Sequence, residues 1–221
     1  MISLVDLGNI NPASPVYQIF IIIAFAVIGF GLKYIDDAFD EGAFSKRIAM
    51  LMAPILVIIW TCLSIFDSIS ATVLFSILFA VLLSGKVDNL IFKMSSISLV
   101  VILFLTQMLN FLLVPLFVLT VMGVADEKGN DYVDSHKTFG VWEFFFAHRC
   151  SMKVGTLGLC MVSLLPWPYL IAFLAFDTAY ESVKIFRYPG APSFCFKVKN
   201  FQLATIILKA FARQRAENPK S

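Results

Sequence analysis

Between Arg47 and Asp67 the chain runs for 19 residues without a charged side chain, and nothing in Ile48 to Phe66 is more polar than Thr61 and Ser64. A helix of about 20 apolar residues reaches across the hydrocarbon core of a bilayer, whereas a surface helix of a soluble fold keeps a polar stripe. Apolar runs recur at Val16 to Ile35, interrupted by Lys33, and at Ala71 to Ser84, Ile97 to Met122 and Val154 to Phe176. Soluble domains carry about 25% charged and about 45–50% apolar residues. Here the figures are 14% and 59%, with a mean hydropathy of +0.86. The chain therefore reads as all-α: a polytopic integral membrane helical bundle of about five transmembrane helices, one domain over residues 1–176, followed by a cytoplasmic amphipathic tail over 177–221.

The first run meets Asp36-Asp37-Ala38-Phe39-Asp40-Glu41-Gly42 and is expected to stop there. Asp67-Ser68-Ile69-Ser70 is short and turn-like, so the runs on either side form a helical hairpin. Ile97 to Met122 reads as one tilted or kinked helix through Pro115, because halves of about a dozen residues are each too short to cross. Gln107 and Asn110 at its middle leave a re-entrant pair, and with it a sixth span, open. Pro166 and Pro168 are expected to bend the last span. Phe139 to Lys153, and the stripe Phe201, Ala204, Ile207, Leu208 and Phe211 in the tail, suggest amphipathic helices in the headgroup region. No Lys or Arg precedes Lys33, so the first run lacks the basic flank of a secretory signal and reads as an uncleaved span.

Five antiparallel spans put Lys33, Lys46, Arg47, Lys86, Lys93 and the tail cations on one side, thirteen of the 17 Lys and Arg. Lys128, Lys137, Arg149 and Lys153 fall on the other. The positive-inside rule makes the rich side cytoplasmic, with the N-terminus outside and the C-terminus inside. A net charge of +2 gives no argument for a nucleic-acid partner. The partners expected are membrane lipid and, in the bilayer, a second copy or another membrane subunit.

Four acids crowd into six residues at the end of the first run. On a continuing helix Asp36 stacks under Asp40 and Asp37 under Glu41, and like charges so placed repel unless a cation neutralises them. Hard oxygen ligands favour magnesium or calcium, and magnesium commonly sits on one or two carboxylates plus substrate phosphates. Asp88 and Asn89, at the end of the third run, emerge on the same face. Asp36, Asp37, Asp40, Glu41 and Asp88 are thus the candidate metal ligands, with Asp37 and Asp40 closest to the chemistry. Lys46, Arg47 and Lys86 are the candidate cations for phosphate oxygens that the metal leaves uncovered. The plainer reading is a solvated cap in which the acids pair with Lys33, Lys46 and Arg47.

The run Asp36-Asp37-Ala38-Phe39-Asp40 resembles the DDxxD motif of enzymes that bind prenyl diphosphates through magnesium. The resemblance covers five residues and the partner at Asp88. It departs from the intramembrane aromatic prenyltransferases in its smaller number of spans and in lacking the Asn that flanks their first motif. It implies a magnesium-dependent membrane enzyme acting on a phosphate-bearing lipid such as an isoprenoid diphosphate, its tail lying between the spans among the 23 phenylalanines.

Other features compete. Asp126 to Asp131 with Asp134, His136, His148, Arg149 and Lys153 matches neither a calcium loop nor a His-x-x-x-His helix, and Gly129-Asn130 reads as a turn. Asp177, Glu181, Lys184 and Arg187 would form one charged stripe on a continuing helix, able to complete the acidic mouth. Cys62, Cys150, Cys160 and Cys195 have no metal-type spacing. The chain has no GxSxG, no Walker-type glycine loop and no CxxC, which removes the motif-based assignments to serine hydrolases, ATP-driven pumps and thiol oxidoreductases. Two other classes remain: an oligomeric cation transporter or channel lined by Gln107 and Asn110, and a structural membrane subunit.

Overall fold

Ser14 and Pro15 start the first helix by familiar chemistry. The Ser14 hydroxyl accepts the Tyr17 N–H at 3.2 Å, and Pro15 sits where a missing N–H costs nothing. A computed structural model describes residues 14–85, 90–106, 110–136, 145–146 and 148–187. These fold into α-helices and no strands: α1 (Pro15–Phe39), α2 (Lys46–Phe66), α3 (Ser68–Leu83), α4 (Leu90–Thr106), α5 (Leu113–His136), α6 (Cys150–Met161) and α7 (Trp167–Arg187). Among the described residues α1 and α2 are the helices long and apolar enough to cross a membrane.

The turns are built from the polar residues that interrupt the apolar runs. Asp67 ends α2 and caps α3, accepting the Ile69 and Ser70 N–H groups at 3.1 and 3.0 Å. Its carboxylate also accepts the Tyr169 hydroxyl at 2.8 Å, tying the start of α7 to the α2–α3 turn. At this end, too, the Thr72 hydroxyl accepts the Leu112 N–H at 3.0 Å, which anchors the start of α5 beside the start of α3.

Two expected single helices are each divided. The Ile97 to Met122 stretch belongs to α4 and α5, with 107–109 outside the described residues and Asn110 exposed between them. The length argument failed because α4 begins earlier, at Leu90, and α5 runs on to His136. Asn110 therefore lies between two helices, two residues before Leu112, whose N–H donates to Thr72 at the start of α3. Val154 to Phe176 is likewise two helices, reversing over 162–166. Ser163 takes a left-handed backbone (φ 59°), and the Leu164 and Leu165 N–H groups fold back on the Leu159 carbonyl at 2.9 and 3.2 Å. Pro166 and Pro168 thus mark a reversal and a helix start, where a bend was expected. α7 continues to Arg187, so Asp177 opens no tail. Gly129 and Asn130 are helical within α5, which overturns the turn reading. The amphipathic helix expected in the tail lies outside the described residues, as do 139–144 and 147 of the one expected over Phe139 to Lys153, whose last four residues belong to α6.

Burial follows the apolar faces. Phe25, Leu74, Phe75, Leu119, Phe173 and Phe176 form the centre of the main core, and α1 packs against α7 along most of its length. A second cluster, Ile35, Ala38, Ala49, Ala53 and Leu56, joins α1 to α2 at the far end, with Ile91 and Phe92 of α4 against it.

Candidate functional site

The acids that end the first apolar run do not stop the helix. Asp36 and Asp37 lie within α1, and Lys33, one turn earlier, reaches both: its Nζ is 2.7 Å from Asp36 Oδ2 and 2.9 Å from Asp37 Oδ1. Asp37 is 1% exposed, so this is no solvated cap. Spacing of three and four residues on a helix brings the side chains together, and the two carboxylates converge on one cation.

Lys33 also stands 5.5 Å from the centre of the Tyr180 ring on α7. The same ring carries the Arg149 guanidinium at 4.6 Å. A tyrosine face attracts cations, and two on one ring bring the preceding segment of α6 beside the end of α1. Arg149 in turn donates to Glu127 Oε1 of α5 at 2.8 Å. One turn into α6, Lys153 pairs with Asp177 of α7 at 2.6 Å.

Asp126 completes the assembly. Its two carboxylate oxygens accept the Ser151 and Met152 N–H groups at 2.9 and 2.8 Å, capping α6 from another helix. Burial pushes this carboxyl above its ordinary range, against the lowering effect of the hydrogen bonds from Ser151 and Met152 and of the nearby Arg149. For Arg149 burial works against the charge, yet Tyr180, Glu127 and Asp177 together hold the guanidinium above its usual range. Arg149 is also held in a left-handed backbone, φ 49° and ψ 44°, which costs a non-glycine residue about 1–2 kcal/mol. Strain of this kind gathers where surrounding contacts over-determine a residue.

The expected site residues separate into two groups. Asp36 and Asp37 join this cluster. Asp40 caps α1 through its backbone, its N–H donating to the Asp36 carbonyl at 2.9 Å, and its side chain is exposed, as is that of Glu41. Lys46 lies over the Phe39 ring at 5.7 Å and Arg47 is exposed, both on the first turn of α2. Lys86 and Asp88 lie outside the described residues. Among the described residues no three His, Cys, Asp or Glu side chains are grouped as a metal-binding set.

Lys33 is the partner of both Asp36 and Asp37, and through it they connect to Tyr180 of α7, to Arg149 before α6 and so to Glu127 of α5. Sequence reasoning put Asp126, Glu127 and Arg149 on the opposite side because it counted Ile97 to Met122 as one crossing. Tyr180 was missed altogether, although Asp177, Tyr180 and Glu181 share helical spacing. Comparison with protein-family models, curated proteins and solved structures returns no match.

Proposed function

We propose that the chain is a multi-pass membrane enzyme acting on a phosphate-bearing lipid of the isoprenoid diphosphate type. The observation that carries this reading is the meeting of two acidic segments, Asp36-Asp37 on α1 and Asp126-Glu127 on α5, around Lys33, Arg149 and Tyr180 at one end of an apolar bundle.

The membrane part rests on surface chemistry. Large apolar side chains face outward on every helix that would meet lipid: Val16 and Phe20 on α1, Leu51 and Ile58 on α2, Phe104 on α4, Phe117 on α5, Met161 on α6 and Ile171 on α7. A soluble monomer rarely exposes contiguous apolar patches beyond a few hundred Å². Dividing Ile97 to Met122 also changes the sidedness. With α4 and α5 antiparallel, Lys33, Lys46, Arg47, Lys93, Lys128, Arg149 and Lys153 all belong to segments at the acidic end. The positive-inside rule then favours that end as cytoplasmic more strongly than a division of thirteen to four did.

Two carboxylates converging on one ammonium fit a cation-holding pair, and magnesium needs few protein ligands when substrate phosphates supply the rest. Asp36 and Asp37 would hold the metal, which when bound would neutralise charge developing on a diphosphate leaving group. Lys33 and Arg149 supply fixed positive charge toward the same oxygens from a largely water-excluded setting, where electrostatic stabilisation is strongest. Tyr180 orients both cations. Glu127 orients Arg149, and Asp126 holds the start of α6 and so the position of Arg149.

The test uses the full chain in lipid nanodiscs, following pyrophosphate release from a prenyl diphosphate with and without magnesium. Magnesium-dependent release that Asp37→Asn reduces at least about tenfold is expected, since removing one electrostatic group costs about 10²–10³ in many sites. Release that is absent, or unchanged in Asp37→Asn, overturns the reading.

A further inference from the structure

The two sides of the bundle have different apolar depths. On α7 the backbone rises about 15 Å from the exposed Trp167 to Asp177, at 1.5 Å per residue. On α6 the rise from Lys153 to Met161 is about 12 Å. The two lengths agree because Lys153 and Asp177 pair at 2.6 Å across the helices. Along α2, by contrast, the charge-free stretch Ile48 to Phe66 covers about 28 Å. Both measures start from the same end of the bundle, where the Tyr169 hydroxyl donates to Asp67, the residue after Phe66. A bilayer has a hydrocarbon core about 30 Å thick, so the α2 side matches it and the α6–α7 side meets charge at roughly half that depth.

α7 cannot slide along α1 to remove the mismatch. The Phe176 carbonyl lies against the backbone of Gly29, and one turn further along both helices Lys33 stands over the Tyr180 ring. These two contacts fix the register, and Asp177 lies between them on α7. The pair is open to its surroundings on one side. The Lys153 side chain is 28% exposed against 6% for Asp177, and its Nζ also donates to the His148 carbonyl at 2.7 Å. Val154 and Leu157 of α6 and Ile171 and Leu174 of α7 face outward on the same edge, so lipid chains would cover this face up to the level of the pair. Thr178, the next residue after Asp177, is exposed there as well.

A bilayer thins to meet an apolar stretch shorter than itself, and charge held at depth draws headgroups and water inward. We propose that zwitterionic phospholipids cross between leaflets along this edge, their phosphate passing Lys153 and their ammonium group passing Asp177, so that the chain scrambles lipids. The thinned edge shortens the hydrocarbon path, and the ion pair offers each half of the headgroup an opposite charge at its deepest point. The proposal rests on the membrane part of the lipid-phosphate reading and is independent of its magnesium chemistry.

The full chain is reconstituted in phosphatidylcholine liposomes carrying a trace of headgroup-labelled fluorescent phosphatidylethanolamine, without metal or prenyl substrate. Dithionite added outside bleaches the outer-leaflet label alone unless lipids exchange between leaflets. Bleaching of the inner-leaflet label as well is expected, at a rate that falls as the acyl chains of the liposome lipid are lengthened. Lys153→Leu/Asp177→Leu, which fills the same space without charge, should slow exchange about tenfold or more. The charge-swapped Lys153→Asp/Asp177→Lys should restore it. Flotation of the liposomes shows in each case that the protein is inserted. Inserted protein that leaves the inner-leaflet label unbleached overturns the proposal while the magnesium-dependent release assay stands apart from it. Exchange that is indifferent to acyl length, or undiminished in the double leucine chain, overturns the role of the short edge and its ion pair. A chain that fails to float with the liposomes overturns the membrane reading itself.

Discussion

Replacing Gly29 with Ala should separate α1 from α7 and destabilise the protein. A Cβ built on Gly29 would lie 2.2 Å from the carbonyl oxygen of Phe176 and 2.9 Å from its carbon, where ordinary contact begins near 3.4 Å. The obstacle is backbone, so no rotamer change can relieve it and the helices must part by roughly 1 Å. A gap of that size forfeits about a quarter to a half of the dispersion attraction along the seam, which includes Phe25, Phe173 and Phe176. Overpacking of this kind costs about 1–3 kcal/mol, against about 1 kcal/mol returned by the higher helix propensity of Ala. With rigid backbone as the obstacle, the upper part of that range applies, and a net loss of about 2 kcal/mol is expected.

Two other glycines calibrate the measurement. A Cβ at Gly31 would meet the methyl groups of Leu56 at 2.5 and 2.7 Å, a flexible tip able to move, so Gly31→Ala should be close to neutral. Gly158 has nothing within 4 Å, so Gly158→Ala should stabilise by up to about 1 kcal/mol. Equilibrium unfolding in mixed micelles, read by tryptophan emission, ranks the three. A Gly29→Ala chain as stable as Gly158→Ala would refute the close α1–α7 approach.

Asp126→Ala removes a buried carboxylate that accepts two N–H groups, and a loss of about 2–3 kcal/mol is expected in the same unfolding assay. Asp126→Asn, which keeps one acceptor, should recover part of it. Arg149→Gly should be less damaging than Arg149→Ala by about 1 kcal/mol, because glycine adopts the left-handed backbone freely while both lose the Glu127 pair. Equal losses would speak against backbone strain at Arg149. Tyr169→Phe deletes the hydroxyl that donates to Asp67, and the cost of about 1.5–3 kcal/mol for a bond to a charged acceptor should appear as a lower unfolding midpoint.

Much of the helical layout was legible because it follows from local chemistry. Asp67-Ser68-Ile69-Ser70 announced a tight hairpin, and the Asp67 carboxylate makes it by capping α3. Where the reading failed, length misled. Ile97 to Met122 looked too short for two helices because the helical ends recruit polar residues on either side, down to Leu90 and up to His136. That single error inverted the placement of Asp126, Glu127 and Arg149. The Asp36-Asp37 pair and its Lys33 partner were visible from spacing alone, while Tyr180 and Arg149, which meet Lys33 from distant parts of the chain, could be found only through packing.

The sequence by itself determined that the chain is helical and that its acids and cations concentrate in a few short segments, because propensity, capping and hydrophobic periodicity act over only a few residues. The tertiary structure decided which of those segments meet. Tyr180 receives Lys33 and Arg149 because the glycine backbone of α1 lets α7 approach closely, and Asp126 reaches the start of α6 because α5 turns back beside α3. Such meetings depend on the direction of each helix, and direction is set by where the chain reverses, a property of the whole bundle.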